Sequence, residues 1–309
     1  MNEQPATPIP ALEGAPGLSS GPVKVPSGSS GPLRGPSGAG PRTLAIDIGG
    51  TGLKASVLDD KGAMLVDRVR IPTTYPLAPQ AMIDALRTLV APLPAYDRIA
   101  AGFPGMVRGG RVLSAPHFVT QDGPGTRIVP LLVAAWSGYD LAAALEKEFG
   151  KPARVANDAD LQGGAVVKGE GLEVVITLGT GLGTAVYHEG HLAPHIELAH
   201  HPFRKGQTYD EQVGDATRKR VGKKKWNKRV QEAVRNIDTL LVFDHLYVGG
   251  GNTVHLDIDL GPKATIVDNS AGITGGLRLW DPVRPAPGGE ALPGQRSVAE
   301  EGTLPASTA

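Results

Sequence analysis

Asp158 follows a short apolar run, Ala153 to Ala156, and Asn157 stands directly before it. A carboxylate at the carboxyl end of a strand in an α/β sheet sits where ligands bind, and it can take a proton from a substrate hydroxyl as general base. Asn157 can position a neighbouring hydroxyl. Aspartate in this place is also a common helix cap, so residue physics leaves both uses of Asp158 open. The second signal is a pair of glycine loops, Asp47-Ile48-Gly49-Gly50-Thr51-Gly52-Leu53-Lys54 and Leu178-Gly179-Thr180-Gly181-Leu182-Gly183-Thr184. Glycine is needed where backbone N–H groups approach phosphate oxygens with no Cβ in the way. Thr51 and Thr180 add hydroxyls, Lys54 adds a positive charge, and Asp47 at a strand end offers a carboxylate to Mg2+. Either loop alone reads equally well as a hairpin turn, and neither fits a Walker or Rossmann pattern. Gly249-Gly250-Gly251 is a third glycine run, and the set is informative where each member is weak.

Glu197 and His200 stand three apart, so one helical turn would place them on one face. Five of the eight histidines lie between His188 and His201, which raises the question of a metal. The helical H-E-x-x-H arrangement is absent, and Pro194 and Pro202 bracket the stretch, so polar recognition of a hydroxylated ligand is the better reading. Residues 218–229, RKRVGKKKWNKR, carry 8 basic residues in 12. Trp226, Val230, Ala233, Ile237 and Leu241 recur at helical spacing, which places Lys224, Lys225, Lys228 and Arg229 on an ordered helix start. A polyanion would gain affinity from such a run and lose it steeply with salt. No reader motif or interleaved stacking aromatic accompanies the run, so nucleic acid is discounted.

These residues need a scaffold, and the pattern supplies one. Residues 43–48 read as a strand and 53–58 as its hairpin return. Met82, Ile83, Leu86, Leu89 and Val90 recur at helical spacing up to Pro92. Further strands are expected at 98–101, 153–156, 173–178, 184–187 and 245–248, with a helix from Tyr139 to Phe149. Strands interleaved with helices, each strand ending in glycine, indicate an α/β architecture. No repeat of fixed period is apparent. Residues 1–41 hold 9 Pro, 8 Gly and 6 Ser, a composition that cannot bury enough surface to order its backbone, and the tail 282–309 has the same character. Both are expected to be disordered. The absence of cysteine removes disulfides, thiol nucleophiles and cysteine-held zinc or iron–sulfur sites. With no secretory signal and no run of about 18 apolar residues, a cytoplasmic chain that spans no membrane is expected. The formal net charge of +0 argues against a uniformly basic nucleic-acid binder.

In order along the chain, these elements make it resemble the ROK family of sugar kinases, and within it the polyphosphate glucokinases. The match runs through Asp47 to Lys54, Phe103-Pro104-Gly105, Asn157-Asp158-Ala159-Asp160, Leu178 to Gly183, Glu197 to His200, Gly249-Gly250-Gly251 and Ser270 to Gly275. The resemblance implies an actin-like (ribonuclease H-like) two-domain α/β fold with an interdomain cleft. A smaller domain of residues 42–158, joined by a helix at about 270–281, would face a larger one of residues 159–269. It implies Asp158 as catalytic base toward the glucose 6-hydroxyl, with Asn157, Glu197, His200 and Gly105 around the sugar. Glu211 stands in for a further family glutamate that has no clear match. Gly49, Gly50, Thr51, Lys54, Gly179, Thr180, Gly181 and Gly250 would cradle phosphate, with Lys224, Lys225 and Lys228 on a polyphosphate donor and Asp47 on Mg2+. The implied partners are glucose and polyphosphate or ATP, and the implied assembly is a homodimer. Many members bind a structural zinc through cysteines. The polyphosphate branch lacks it, and a chain without cysteine fits that branch. Ala199 replaces the glycine usual between Glu197 and His200. ROK repressors make a non-catalytic sugar sensor the competing reading, and an ATP kinase for another hexose or an acylaminosugar is a third.

Overall fold

The structure, a computed structural model, describes residues 40–267 and 273–281. Most of both Pro/Gly-rich tails and residues Ser270 to Gly272 of the last matching motif lie outside them.

Strand β1 (Thr43–Ile48) is buried on both faces, as its near-continuous apolar run requires. It pairs antiparallel with β2 (Gly52–Leu58), which pairs antiparallel with β3 (Val69–Pro72). On its other side it runs parallel to β4 (Arg98–Phe103). Beyond a small hairpin, β5 (Val107–Arg108) with β6 (Arg111–Val112), the strand β7 (Ala153–Asn157) adds parallel to β4. The order is β3-β2-β1-β4-β7.

Helix α1 (Pro79–Val90) starts on proline, which suits a first helical position, and buries Met82, Ile83, Leu86, Leu89 and Val90. Helix α2 (Pro130–Trp136), which the pattern did not announce, brings Trp136 into a ring cluster with Phe103 and Phe118. Helix α3 (Leu141–Phe149) begins where the Asp140 side chain accepts from Ala143 N–H at 3.0 Å and ends at left-handed Gly150.

A second sheet repeats the topology. Strand β8 (Leu172–Leu178) pairs antiparallel with β9 (Leu182–His188), and β9 pairs antiparallel with β10 (His191–Leu192). After the hairpin β11 (Pro202–Arg204) and β12 (Gln207–Thr208), the strands β13 (His245–Gly249) and β14 (Ala264–Ile266) add parallel. The order β10-β9-β8-β13-β14 matches that of the first sheet strand for strand. The second core is built on the β8/β13 face by Trp226, Val230, Ala233, Val234 and Ile237 of the long helix α7 (Lys223–Leu241).

Helix α4 (Asp158–Gly164) touches strands of both sheets. Glycines permit the approach on each side. A Cβ on Gly102 would meet Leu161 at 3.0 Å, and one on Gly183 would meet Ala159 at 2.9 Å. The expected helix near 270–281 is a 3-10 helix, Thr274–Trp280, lying against α4, β1, β4 and β7. No helix among the described residues is long and apolar enough to cross a membrane.

Candidate active site

Asp158 is the first residue of α4, and the capping role falls to its neighbour. Asn157 Oδ1 accepts from Ala159 N–H at 2.8 Å, while Asn157 Nδ2 donates to the Gly105 carbonyl at 2.9 Å. These bonds use one of the two Nδ2 hydrogens and one lone pair of Oδ1 of the Asn157 amide. Asp158 also accepts from Ala159 N–H, at 2.9 Å, yet stays partly exposed. Burial, and after it the charge of Asp47 and those of Asp160 and Glu197, push the Asp158 carboxyl up to about 7. That value suits a group that must take up a proton near neutrality.

Glu197 and His200 do not lie on a helix. Between Pro194 and Pro202 the chain makes turns, with Leu198 N–H donating to Ile196 C=O and His201 N–H to Leu198 C=O. The prolines cannot continue a helical ladder, so the three-residue spacing becomes a bend. Glu197 remains half-buried and His200 exposed. The charge of His200 acts on both Glu197 and Asp210.

Glu211, the stand-in for a further sugar contact, is used otherwise. It closes a capping box at the start of α5 (Tyr209–Val213), its Oε2 accepting from Thr208 N–H at 2.8 Å while Thr208 Oγ1 accepts from Glu211 N–H. Its neighbour Asp210 faces the second glycine loop, accepting from Leu182 N–H at 2.6 Å, and a Cβ on Gly181 would come within 2.3 Å of that carboxylate. The T-x-x-E spacing at Thr208 would have identified Glu211 as a cap.

Both glycine loops are the hairpins that join the first two strands of their sheets. In the first, the carbonyls of Gly49, Gly50 and Thr51 accept from Thr73 Oγ1 at 2.6 Å, Tyr75 Oη at 2.6 Å and Arg70 at 3.4 Å. In the second, Gly179 C=O accepts from Asn252 Nδ2 at 2.8 Å and Asp215 N–H at 3.1 Å, and Thr180 C=O from Asp215 N–H at 3.2 Å. Within the turns, Gly49 N–H donates to Gly52 C=O at 3.1 Å and Gly179 N–H to Gly181 C=O at 3.0 Å. Gly250, at φ +96°, lies under the second loop, where a Cβ would meet Leu178 backbone at 2.3 Å. Nothing in the sequence pattern named Thr73, Tyr75 or Asn252 as partners of these loops.

Lys54 and Asp47 face each other across the first two strands, Nζ to Oδ2 at 2.7 Å. Among the described residues no three acidic, histidine or cysteine side chains cluster as a cage for a metal ion. Mg2+ at phosphate sites is bound through one or two carboxylates plus the phosphates themselves, so Asp47 fits it and Lys54 fits a phosphate beside it. His117, absent from the sequence expectations, has a buried Nδ1 with no hydrogen-bond partner. A Cβ on Gly50 would lie 3.0 Å from that atom, and the charge of Asp210 reaches the ring.

The basic run divides at Gly222 into α6 (Asp215–Val221) and the start of α7. Lys224, Lys225 and Lys228 are exposed, while Trp226 is buried and its Nε1 donates to Val213 C=O at 2.7 Å. Arg218 and Lys219 are paired with Asp215. Burial and the nearby guanidinium groups of Arg204 and Arg220 hold Arg229 below its usual range, which marks a concentration of positive charge across β11, α6 and α7.

Residues 43–195 match the ROK family. Polyphosphate glucokinase of Mycobacterium tuberculosis is 28% identical over 247 residues, 74% of this chain and 88% of the relative. N-acetylmannosamine kinase of Shigella boydii is 34% identical over 157 residues, 48% of each. Among solved structures, the inorganic polyphosphate/ATP-glucomannokinase of Arthrobacter sp. strain KM superposes with a TM-score of 0.64 at 29% identity, covering 77% of this chain and 97% of that one. The doubled sheet topology is the actin-like α/β fold that the motifs implied. By its family domain and its fold, the chain belongs to the ROK family and is built as its sugar kinases are.

Proposed function

We propose that this ROK protein is a glucokinase that moves a phosphoryl group from inorganic polyphosphate, or from ATP, to the 6-hydroxyl of glucose. The observation that carries the reading is Asp158, a partly exposed carboxylate pushed up to about 7 where α4 meets both sheets, with both glycine loops fixed by bonds to their carbonyls. Phosphoryl transfer asks the protein mainly to position groups and stabilise charge, so one base with backbone donors suffices.

In the proposed reaction the sugar hydroxyl oxygen attacks the terminal phosphorus and gives its proton to Asp158. The bond from that phosphorus to the bridging oxygen breaks, and the shortened polyphosphate, or ADP, leaves with the electron pair. Glu197, His200 and Asp210 supply acceptors and a donor for the remaining hydroxyls. Mg2+, held by Asp47 and the donor phosphates, would neutralise charge on the transferred group. Lys224, Lys225 and Lys228, with the arginines Arg204, Arg220 and Arg229, give the donor its positive surface.

The test is a donor-by-sugar matrix of polyphosphate and ATP against glucose, mannose, fructose, N-acetylglucosamine and N-acetylmannosamine. Glucose phosphorylation from polyphosphate is the expected result. Identity to an N-acetylmannosamine kinase across 48% of the chain favours an acylaminosugar as the second acceptor class, and exclusive turnover of one would replace glucose. No transfer to any sugar, with a band shift on duplex DNA, would establish the sensor instead.

A further inference from the structure

We infer that His195 is a positioning residue: it holds Glu197 toward the sugar and offsets the charge of Asp160, two residues beyond the proposed base. The inference rests on the kinase reading. Its geometry is specific. His195 Nδ1 lies 3.1 Å from each carboxylate oxygen of Asp160, and Nε2 lies 3.6 Å from Glu197 Oε2. The Asp160 side chain is 3% exposed and that of His195 10%, and Nε2 is buried with no hydrogen-bond partner in the protein.

Both ring nitrogens therefore face carboxylate oxygens. A neutral imidazole has one N–H, so it would leave a lone pair against one of the two carboxylates. Only the imidazolium presents an N–H to both, a hydrogen bond to Asp160 and a charge contact with Glu197. Burial by itself would drive the ring toward neutrality, but Asp160 and Glu197 together reverse that and push it up to about 10. The cation also addresses a cost at the other end. A carboxylate buried as deeply as Asp160 is expensive without a partner, and His195 is the side chain that pairs with it.

The groups facing this pair are few. Asp160 comes from α4 and Glu197 from the turn segment, with His200 beyond it. Asp158, also on α4, is acted on by Asp160 and Glu197, Asp210 of α5 is acted on by Glu197 and His200, and Asp47 of β1 acts on Asp158. The hydroxyl of Tyr187 on β9 donates to the Asp160 carbonyl and fixes the backbone there. Asp160 and Glu197 both act to raise Asp158. Removing His195 leaves two negative charges beside the base without their shared cation, and frees Glu197 to turn away.

The experiment uses the full chain and the variants H195A and H195Q. It measures kcat and KM for sugar and donor across pH, with the nitrogen NMR spectrum of the histidine rings in the parent. H195A is expected to raise the sugar KM about tenfold, the usual loss when an orienting partner is removed, with donor KM within about twofold. It is also expected to move the acidic limb of kcat/KM up by about half a pH unit or more. Glutamine keeps a donor toward Asp160 without the charge. H195Q should therefore recover most of the KM and none of the shift, and it carries the test if H195A does not fold. Both ring nitrogens should be protonated at neutral pH in the parent. An unchanged sugar KM and pH limb in H195A, or a neutral His195 ring, overturns the inference. A parent that phosphorylates no sugar overturns the kinase reading instead, and the ring spectrum still decides the state of His195.

Discussion

The two sheets share one topology, yet the first leads to the proposed base where the second leads to a backbone support. In the first sheet the last parallel strand, β7, delivers Asn157 and Asp158 to the start of α4. In the second the parallel strand β13, the counterpart of β4, delivers Gly249 and Gly250, whose backbone lies under the Gly179–Gly181 hairpin. Their carboxylates differ in the same sense. Glu173 on β8 accepts from the N–H groups of Lys168 and Gly169, both at 2.7 Å, and from Tyr247 Oη at 2.9 Å. Asp158 accepts one bond and is left partly exposed beside other negative charges. A satisfied carboxylate stabilises a fold, whereas one held short of partners can exchange a proton. The same topology therefore carries the proposed site for transfer in one half and a closely packed backbone support in the other.

The sharpest way to break this comparison is Asp158→Asn. It should lower kcat for sugar phosphorylation by about a thousandfold, in the range of a lost general base, while E173Q should act on stability rather than turnover. Near-normal turnover by Asp158→Asn would remove the base from the first half.

Next in size is the cradle. Gly250→Ala would place a Cβ against Leu178 backbone at a φ of +96° and should cost about 2–4 kcal/mol in a denaturation midpoint. Gly179→Ala meets nothing within 4 Å, so its melting should match the parent and its loss should appear in donor KM. Equal melting of the two variants would deny the second loop its scaffold role.

The pH dependence follows from the raised Asp158. In the free protein kcat/KM should rise about tenfold per unit below pH about 7 and level above it, because only the ionised form accepts a proton. For folding the sign is opposite. The folded state holds a proton that the unfolded state releases near pH 4, so this group's contribution to stability falls as pH rises from about 4 to about 7. Asp158→Asn should be more stable than the parent above that window, by on the order of 2 kcal/mol once the shift is discounted for partial exposure. Thermal melts of both proteins at acid and neutral pH measure the difference.

The smallest expected effect concerns the donor. Reversing charge at Lys224, Lys225 and Lys228 should raise KM for polyphosphate about tenfold at low salt, with the difference shrinking as salt rises. These side chains are exposed, so melting should be unaffected. A polyphosphate KM insensitive to both salt and charge reversal would take the donor away from α7.

Much of this was legible because short-range rules govern it. Gly150 stops α3, Pro92 follows the end of α1, and the stripe from Trp226 to Ile237 faces the core because periodicity along one helix is a local property. The two hairpins could be read from glycine between alternating strands. Residues whose partners lie far along the chain could not be read this way. Thr73 and Tyr75 hold the first loop from 24 and 25 residues away, and Asn252 holds the second from 73. The repeated topology was hidden too, since the halves share an order of strands rather than a spacing of residues.

The chain's own residues determined the elements, the glycine loops, the candidate base and the resemblance to the ROK family, all of which depend on residue type and local order. Tertiary structure decided what surrounds each carboxylate. It gave the cap to Asn157, turned Glu211 into a capping box and brought Asp210 to the second loop. It also set His195 between Asp160 and Glu197. The reason is physical. A carboxylate's role is set by the charges and donors that surround it in space, and those come from segments that only the fold brings together.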